Sequence, residues 1–188
     1  MISRFVLSIS IALSVISCHS QGTKQNRIIM ENNDYRHNPH FSRTDTSKLS
    51  VPESDWKKIL SPEVYNIARE KGTERPYTSK FETSHEIGTY YCAACGNSLF
   101  RSDTKFESGC GWPSFYEPIS KSSILYAPDN AYGMNRTEVQ CGRCKAHLGH
   151  VFEDGPPPTG LRYCINGVVL DFEKAKQAES DYNQRQHP

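Results

Sequence analysis

Cys92-Ala-Ala-Cys95-Gly96 and Cys141-Gly-Arg-Cys144 are the two stretches of sequence that decide the fold of this chain. Each C-x-x-C pair places two thiols close enough to share one metal ion. Most of the domain lies between the two pairs, so a shared ion would fasten its two ends together. Four thiolates in a tetrahedral arrangement favour Zn²⁺ in a closed structural site, which is therefore what the spacing predicts.

Two other interpretations of these four cysteines stay open. In an exported protein they could form two disulfide bonds, vicinal or crossed, and a single C-x-x-C pair could be a redox centre. The presence of two matched pairs favours a metal over both alternatives.

The length and composition fit one small domain. The 188 residues allow a domain of about 100–150 residues together with a leader and a linker. Hydrophobic residues make up 36% and aromatic residues 11%, and Gly and Pro are frequent, which favours a loop-rich β domain. The 22 basic and 21 acidic residues leave a net charge of +1, so no strong positive field indicates binding to nucleic acid.

Residues 1–17 are typical of an export signal. Arg4 gives a positive start, and the apolar run that follows is shorter than the roughly 20 residues of a transmembrane helix. The run ends at Cys18 in a pattern that resembles the lipobox of bacterial lipoproteins, in which this cysteine carries lipid. We therefore expect an exported, membrane-anchored lipoprotein facing the periplasm or the exterior. An ordinary signal peptide followed by an unrelated cysteine is the alternative.

Three further segments follow the leader. Residues 18–50 are polar, with few apolar side chains, and are expected to form a flexible tether. Residues 51–178 are expected to form the folded domain, and residues 179–188 a polar tail.

The domain combines helical and strand signals. Ser61-Pro62-Glu63 is a typical helix start, with Ser as the N-cap and Pro in the first turn. After Gly88, short β-branched or aromatic runs alternate with Gly, Pro, Asn and Asp, which predicts antiparallel strands. Residues 171–178 favour one more short helix. The residues thus predict a mainly β domain with a helical N-terminal flank.

Two cysteines outside the C-x-x-C pairs are candidates for redox chemistry. Cys164 follows Arg162 by two residues, so both lie on one face of a strand, where the cation would stabilise a thiolate. Cys110 precedes Trp112 by two residues, and an indole offers an apolar wall for a thioether. Alternatively, the two cysteines could form a structural disulfide, Arg162 could be solvated and Trp112 could belong to the core.

His147 and His150 are candidate proton donors. Imidazoles titrate near neutral pH and can hand a proton to a substrate oxygen. A histidine in a small β domain is more often a surface or core residue than a catalyst. The combination with the two cysteines, Arg162 and Trp112 nevertheless favours a catalytic site.

Six segments, spread in order from about residue 53 to 175, resemble the methionine-R-sulfoxide reductases of the B type. They are Glu-Arg-Pro (74–76), Gly-x-Tyr-x-Cys-x-x-Cys-Gly (88–96), Ser-Gly-Cys-Gly-Trp-Pro-Ser-Phe (108–115), Arg-Thr-Glu-Val (136–139), His-Leu-Gly-His-Val-Phe (147–152) and Gly-Leu-Arg-Tyr-Cys-Ile-Asn (160–166). The resemblance implies a fold of two antiparallel sheets braced by zinc on four cysteines, namely Cys92, Cys95, Cys141 and Cys144.

The resemblance implies peptide-methionine (R)-S-oxide reductase activity on oxidised proteins. The thiolate of Cys164 would attack the sulfoxide sulfur and become a sulfenic acid, which Cys110 would resolve to a Cys164–Cys110 disulfide. A thioredoxin-like reductant would then reduce this disulfide. Because the protein is expected to be exported, that reductant would lie outside the cytosol. We expect a monomer that binds no nucleic acid.

The resemblance also implies roles for the side chains around the two cysteines. The residues implied to protonate the sulfoxide or support the reaction are His147, His150, Arg162 and Asn166. The residues implied to bind substrate are Trp112, which would hold the ε-methyl group, and Phe152.

The sequence departs from the family pattern at two positions. Gly167 stands where Ser is more usual, and Ser79 stands where Gly is expected. Gly167 could alter hydrogen bonding near Cys164. The alternatives to a reductase are a zinc-ribbon binding module and a disulfide-stapled domain without activity. The balanced charge and two cysteines that a binding module does not need argue against the first.

Overall fold

Two antiparallel sheets form the framework of this computed structural model, which describes residues 38–175. In chain order the strands of this part are β1 (Gly88–Cys92), β2 (Ser98–Arg101), β3 (Lys105–Phe106), β4 (Ser114–Phe115), β5 (Ile124–Asp129), β6 (Arg136–Cys141), β7 (His147–Phe152), β8 (Arg162–Ile165) and β9 (Leu170–Lys174). The smaller sheet has the order β2-β1-β9, and the larger one has the order β3-β4-β8-β7-β6-β5. The predicted mainly β fold is confirmed.

Aromatic side chains join the two sheets. Tyr90 and Phe100 of the smaller sheet are fully buried against Phe115 and Tyr163 of the larger one. Phe100 stacks on Phe115 with ring centroids 4.4 Å apart, and Tyr90 meets Phe115 edge-on at 5.0 Å. Phe115 and Tyr163 share one face of the larger sheet because they are directly paired across β4 and β8. Successive residues of a strand alternate between the two faces. Their neighbours in sequence are therefore on the opposite face, where the candidate site lies.

Two short helices, α1 (Glu53–Ile59) and α2 (Pro62–Ala68), form the helical flank. Ser61 caps α2 as predicted, since its hydroxyl accepts the amide of Val64 at 3.3 Å and Pro62 follows directly. Among the helices of residues 38–175, none is long and apolar enough to cross a membrane.

The short helix predicted over residues 171–178 is wrong for its first half, because the chain forms strand β9 up to Lys174. Phe172 pairs with Tyr90 of β1, with ring centroids 4.7 Å apart, and Leu170 is buried. Pairing with β1 and burial of alternate side chains outweigh the modest helix propensity of the intervening charged residues.

Residues 38–50, which we call the N-terminal strap, lie against the domain, although they belong to the segment expected to be a flexible tether. Arg143 is only 3% exposed and holds the strap through its guanidinium. It donates to the carbonyls of His40 and Ser47 and binds Asp45 at 2.8 Å. Asn38 of the strap also donates to the carbonyl of Ala94 at 2.8 Å, and Arg43 pairs with Asp171. Polar contacts of this kind hold the segment, so its polar composition gave no sign of docking. The predicted signal peptide, Cys18 and the polar tail lie outside the described residues.

Candidate active site and metal cluster

The four cysteines of the C-x-x-C pairs form one buried cluster. Their sulfur atoms all lie within 4.8 Å of one another, with 3.8 Å between Cys92 and Cys144 and 3.6 Å between Cys95 and Cys141. Zn–S bonds of about 2.3 Å in a tetrahedron place sulfurs about 3.8 Å apart, whereas a disulfide bond is about 2.05 Å long. The cluster could hold a metal ion as it stands, and the two-disulfide alternative does not fit it.

The turns that follow the two C-x-x-C pairs each contain one residue with a left-handed backbone. Gly96 and Lys145 each come directly after the second cysteine of a pair, with left-handed φ values of 78° and 60°. A Cβ at Gly96 would lie 2.6 Å from the carbonyl oxygen of Ser42 in the N-terminal strap. Glycine is therefore needed where the strap covers the first turn, and the second turn tolerates a lysine.

Cys110 and Cys164 lie side by side at the outer face of the larger sheet. Their sulfurs are 3.3 Å apart, with Cys164 on β8 and Cys110 on the loop between β3 and β4. Gly109 and Gly111 flank Cys110 with left-handed φ values of 69° and 91°, which lets the loop bend towards β8. A disulfide between the two thiols needs only a small movement.

The two thiols differ in acidity. Burial alone would raise the pKa of Cys110, but hydrogen bonds from Ser108 and Ser114 bring it down to about 7. Burial and the neighbouring Cys110 raise the pKa of Cys164 to about 12, and Arg162 opposes this shift. We expected Arg162 to stabilise a thiolate at Cys164, and it does lower the pKa of this thiol, but burial and Cys110 outweigh it. In the pair, however, the first proton leaves Cys110, because two thiolates so close together repel each other.

A β-bulge brings His147 and His150 to the face that carries Cys164. Residues three apart in a regular strand lie on opposite faces. Strand β7, however, has one extra residue between its pairs with Val139 and Gln140 of β6. The two imidazole rings are consequently 5.4 Å apart, and His150 lies directly opposite Cys164 across the β7–β8 pair.

Each imidazole is bound by a carboxylate that was not predicted as part of the site. Nδ1 of His147 lies 2.7 Å from Glu138, whose other oxygen binds Lys71 at 2.8 Å. Burial lowers the pKa of His147 despite this carboxylate, so the ring is neutral near pH 7. Nε2 of His150 lies 2.7 Å from Asp129. This leaves Nδ1 of His150 as the nitrogen that can reach a substrate.

Arg162 lies beside Cys164 with its guanidinium held in one orientation. Strand β8 places both residues on one face, as the sequence predicted. Asp154 accepts two hydrogen bonds of 2.8 Å from Arg162, and the guanidinium carbon lies 4.4 Å from the ring centre of Phe152. Phe152, predicted to bind substrate, therefore also supports the arginine.

The loop at residues 74–79 is tied to the site by Trp112 and Asn166. Nε1 of Trp112 donates to the carbonyl of Glu74 at 3.3 Å, and the side-chain oxygen of Asn166 accepts the amide of Glu74 at 3.0 Å. The Asn166 side-chain nitrogen donates to the carbonyl of Leu148 in the bulge at 3.0 Å. Both ends of the Asn166 side chain are thus engaged by backbone, and the residue joins the loop to β7.

The two departures from the family pattern contact each other. A Cβ at Gly167 would lie 2.5 Å from the Cβ of Ser79 and closer still to its hydroxyl oxygen. The Ser79 side chain therefore occupies the space that a side chain at position 167 would need. The absence of a side chain at Gly167 thus leaves room for the side chain of Ser79.

Two adjacent thiols of unequal acidity, beside two imidazoles and an arginine, are typical of the thiol oxidoreductases. Residues 60–174 match the SelR domain family. A peptide methionine sulfoxide reductase MsrB of Pseudomonas putida (strain W619) is 56% identical over 126 residues, which are 67% of this chain and 95% of that protein. The chain belongs to this family, the methionine-R-sulfoxide reductases of the B type, as its motifs indicated.

Relatives from distant organisms agree with this assignment. A protein of the same name from Methanosarcina barkeri (strain Fusaro) is 58% identical over 130 residues, which cover 68% of this chain and 92% of the relative. Another, from Agrobacterium fabrum (strain C58), is 55% identical over 133 residues, which cover 71% of this chain and 98% of the relative.

Proposed function

We propose that this chain reduces methionine-R-sulfoxide in proteins and peptides to methionine, in keeping with its family. The observation that carries the proposal is the pair of sulfurs of Cys110 and Cys164, 3.3 Å apart, with His150 opposite Cys164. Arg162 lies on the same face of the sheet. The site thus has a nucleophile, a proton donor, a cation and a second thiol, which are the groups that sulfoxide reduction by thiols needs.

Cys164 is the nucleophile of the first step. The singly ionised pair holds one proton, and when that proton lies on Cys110 the Cys164 thiolate, which Arg162 favours, attacks the sulfoxide sulfur while Trp112 packs against the ε-methyl group. The oxygen passes to Cys164, so that thiol and sulfoxide become sulfenic acid and thioether. His150 protonates the oxygen through Nδ1, and the neutral His147 orients the site from its buried position beside His150.

Cys110 resolves the intermediate in the second step. Its sulfur attacks the sulfur of the sulfenic acid, the S–O bond breaks, and the oxygen leaves as water once protonated. The product is a Cys110–Cys164 disulfide. An external dithiol of the thioredoxin type then reduces it by exchange and is itself oxidised to a disulfide.

The four-cysteine cluster is the site of a structural Zn²⁺ ion in this proposal. With four sulfur ligands the ion has no open position for substrate, so its contribution is to the stability of the fold. The sequence further suggests that the enzyme is exported as a monomer and anchored through lipid on Cys18. Its substrates would then be oxidised proteins outside the cytosol, and its reductant would act there too.

Separated epimers of methionine sulfoxide in a blocked peptide test this function. The protein should release methionine from the R epimer and not from the S epimer. Cys164→Ser should release none, whereas Cys110→Ser should release about one methionine per enzyme and then stop, because its sulfenic acid has no resolving thiol. Reduction of the S epimer alone, or full turnover by Cys164→Ser, would contradict the proposal.

A further inference from the structure

Two serine hydroxyls surround the sulfur of Cys110. Ser108 donates to this sulfur at 3.0 Å, and the hydroxyl oxygen of Ser114 lies 3.5 Å from it. The two hydroxyls are themselves 2.7 Å apart. Ser114 is 1% exposed and lies directly opposite Cys164 in the β4–β8 pair. The hydroxyl of Ser114 is therefore buried within the site, beside both cysteines.

The hydrogen bonds of Ser108 fix the direction of its proton. Its oxygen accepts the backbone amide of Cys110 at 3.3 Å. Because Ser108 has one hydroxyl proton and gives it to the sulfur, the contact of 2.7 Å leaves Ser114 as its donor, and the carbonyl of Trp112 at 3.2 Å is the competing acceptor for the Ser114 proton. Ser114 thus lies behind the Ser108 hydroxyl, which in turn donates to the Cys110 sulfur.

We propose that Ser108 is a positioning residue that, together with Ser114, holds the resolving Cys110 as a thiolate facing the sulfur of Cys164. The inference rests on the proposed resolving function of Cys110. In that step the Cys110 thiolate supplies the electron pair of the new S–S bond to the sulfenic acid of Cys164. Hydroxide leaves from the broken S–O bond and is protonated to water.

The acidity of Cys110 agrees with this geometry. Burial raises the pKa of its thiol, yet contacts with Ser108, Ser114, the backbone of Trp112 and Cys164 together outweigh burial and bring it to about 7. The other charged or titratable groups near the pair are Arg162 and Cys164 on β8 and His150 on β7. Arg162 serves both sulfurs, whereas the two hydroxyls contact the sulfur of Cys110, and Cys164 is the more strongly shifted by burial.

A pH series in single-turnover experiments tests the inference. Wild type, Ser108→Ala and Ser108→Thr are mixed with the R epimer of a blocked peptide, and released methionine and disulfide formation are followed separately. Loss of one hydrogen bond to a thiolate should raise the pKa of Cys110 by about one unit. A less acidic thiol is less ionised but intrinsically more nucleophilic, so the two effects oppose each other.

The expected signature is therefore a rate ratio that changes with pH. Disulfide formation in Ser108→Ala should be about threefold slower than in wild type near about pH 6 and no slower near about pH 9. Methionine release should change less than disulfide formation. Taking the ratio to wild type cancels the pH effects that both proteins share. Ser108→Thr keeps the hydroxyl and should follow wild type.

Several outcomes would overturn the inference. A constant ratio across the pH range would indicate structural damage, and an equal loss in Ser108→Thr would show that the hydroxyl is not what matters. Ser122→Ala is the matched control, because it breaks an exposed hydroxyl pair with Ser120 just before β5, the edge strand that lies three places from β8 in the larger sheet. Failure of the wild type to release methionine would instead defeat the proposed function. The pH profile of Cys110 alkylation by iodoacetamide would still test the role of Ser108 in that case.

Discussion

Replacing Gly167 with alanine should destabilise the protein, and removing the side chain of Ser79 should reverse most of the loss. Gly167 is not among the glycines with left-handed φ, so its backbone accepts alanine and only packing opposes the change. The new Cβ would lie 2.5 Å from the Cβ of Ser79, well inside ordinary contact. Rotation of Ser79 cannot move its Cβ, so the loop at residues 74–79 must shift.

The magnitudes follow from the local contacts. Overpacking of this kind costs about 1–3 kcal/mol. Ser79→Gly alone should cost about 1 kcal/mol, because the Ser79 hydroxyl accepts the amide of Phe81 at 3.1 Å and glycine loosens the unfolded chain. Independent effects would add to about 2–4 kcal/mol. Because Ser79→Gly removes the clash, the double variant should lose only about as much stability as Ser79→Gly alone. The difference from the additive value is a coupling free energy of about 1–3 kcal/mol.

Urea denaturation of wild type, the two single variants and the double variant measures this coupling. Ser79→Gly combined with Gly160→Ala is the matched control, since a Cβ at Gly160 meets nothing within 4 Å. The two changes in the control should be additive, although each costs stability. Additive losses in the Gly167→Ala, Ser79→Gly double variant, or a Gly167→Ala variant as stable as wild type, would refute the reasoning.

Three other predictions concern the metal, acid and the membrane. Exhaustive chelation should lower the melting temperature, because structural zinc contributes folding free energy; an unchanged temperature would argue against a structural metal. The free energy of unfolding should fall below about pH 6.5. Burial lowers the pKa of His147 in the folded protein, and hydrogen bonds from Lys71 and His147 outweigh burial and lower the pKa of Glu138. The unfolded chain therefore binds more protons than the folded one in acid, which favours unfolding. Urea midpoints at about pH 7 and about pH 5 measure this, and a midpoint that rises on acidification would contradict it. Cys18→Ser should move the protein from membranes to the soluble fraction, whereas continued membrane association would count against the lipid anchor.

The features that depend on local spacing could be predicted. The four-cysteine cluster follows from two C-x-x-C pairs, and the start of α2 follows from Ser61 and Pro62. The alternation of a strand also placed Arg162 and Cys164 on one face. In each case the chemistry is set by residues within a few positions of one another.

The features that depend on partners distant in sequence could not be predicted. The bulge in β7 is visible only from its pairing with β6, yet it decides that His147 and His150 share a face. Glu138 and Asp129 gave no signal of their own roles, because nothing near them in sequence shows which imidazole each one binds. The acidity of the two thiols also escaped prediction, since it depends on how close Cys110 comes to Cys164.

The N-terminal strap means that the cooperative unit of this chain is larger than its family match. That match begins at residue 60, yet Arg143 within it takes acceptors from residues 38–50. A protein shortened to residue 60 would lose three of the four acceptors of this guanidinium and keep the carbonyl of Cys95. A hydrogen bond to a charged group contributes about 1.5–3 kcal/mol. Truncations for crystallisation or assay should therefore begin at or before Asn38, whatever boundary sequence similarity suggests.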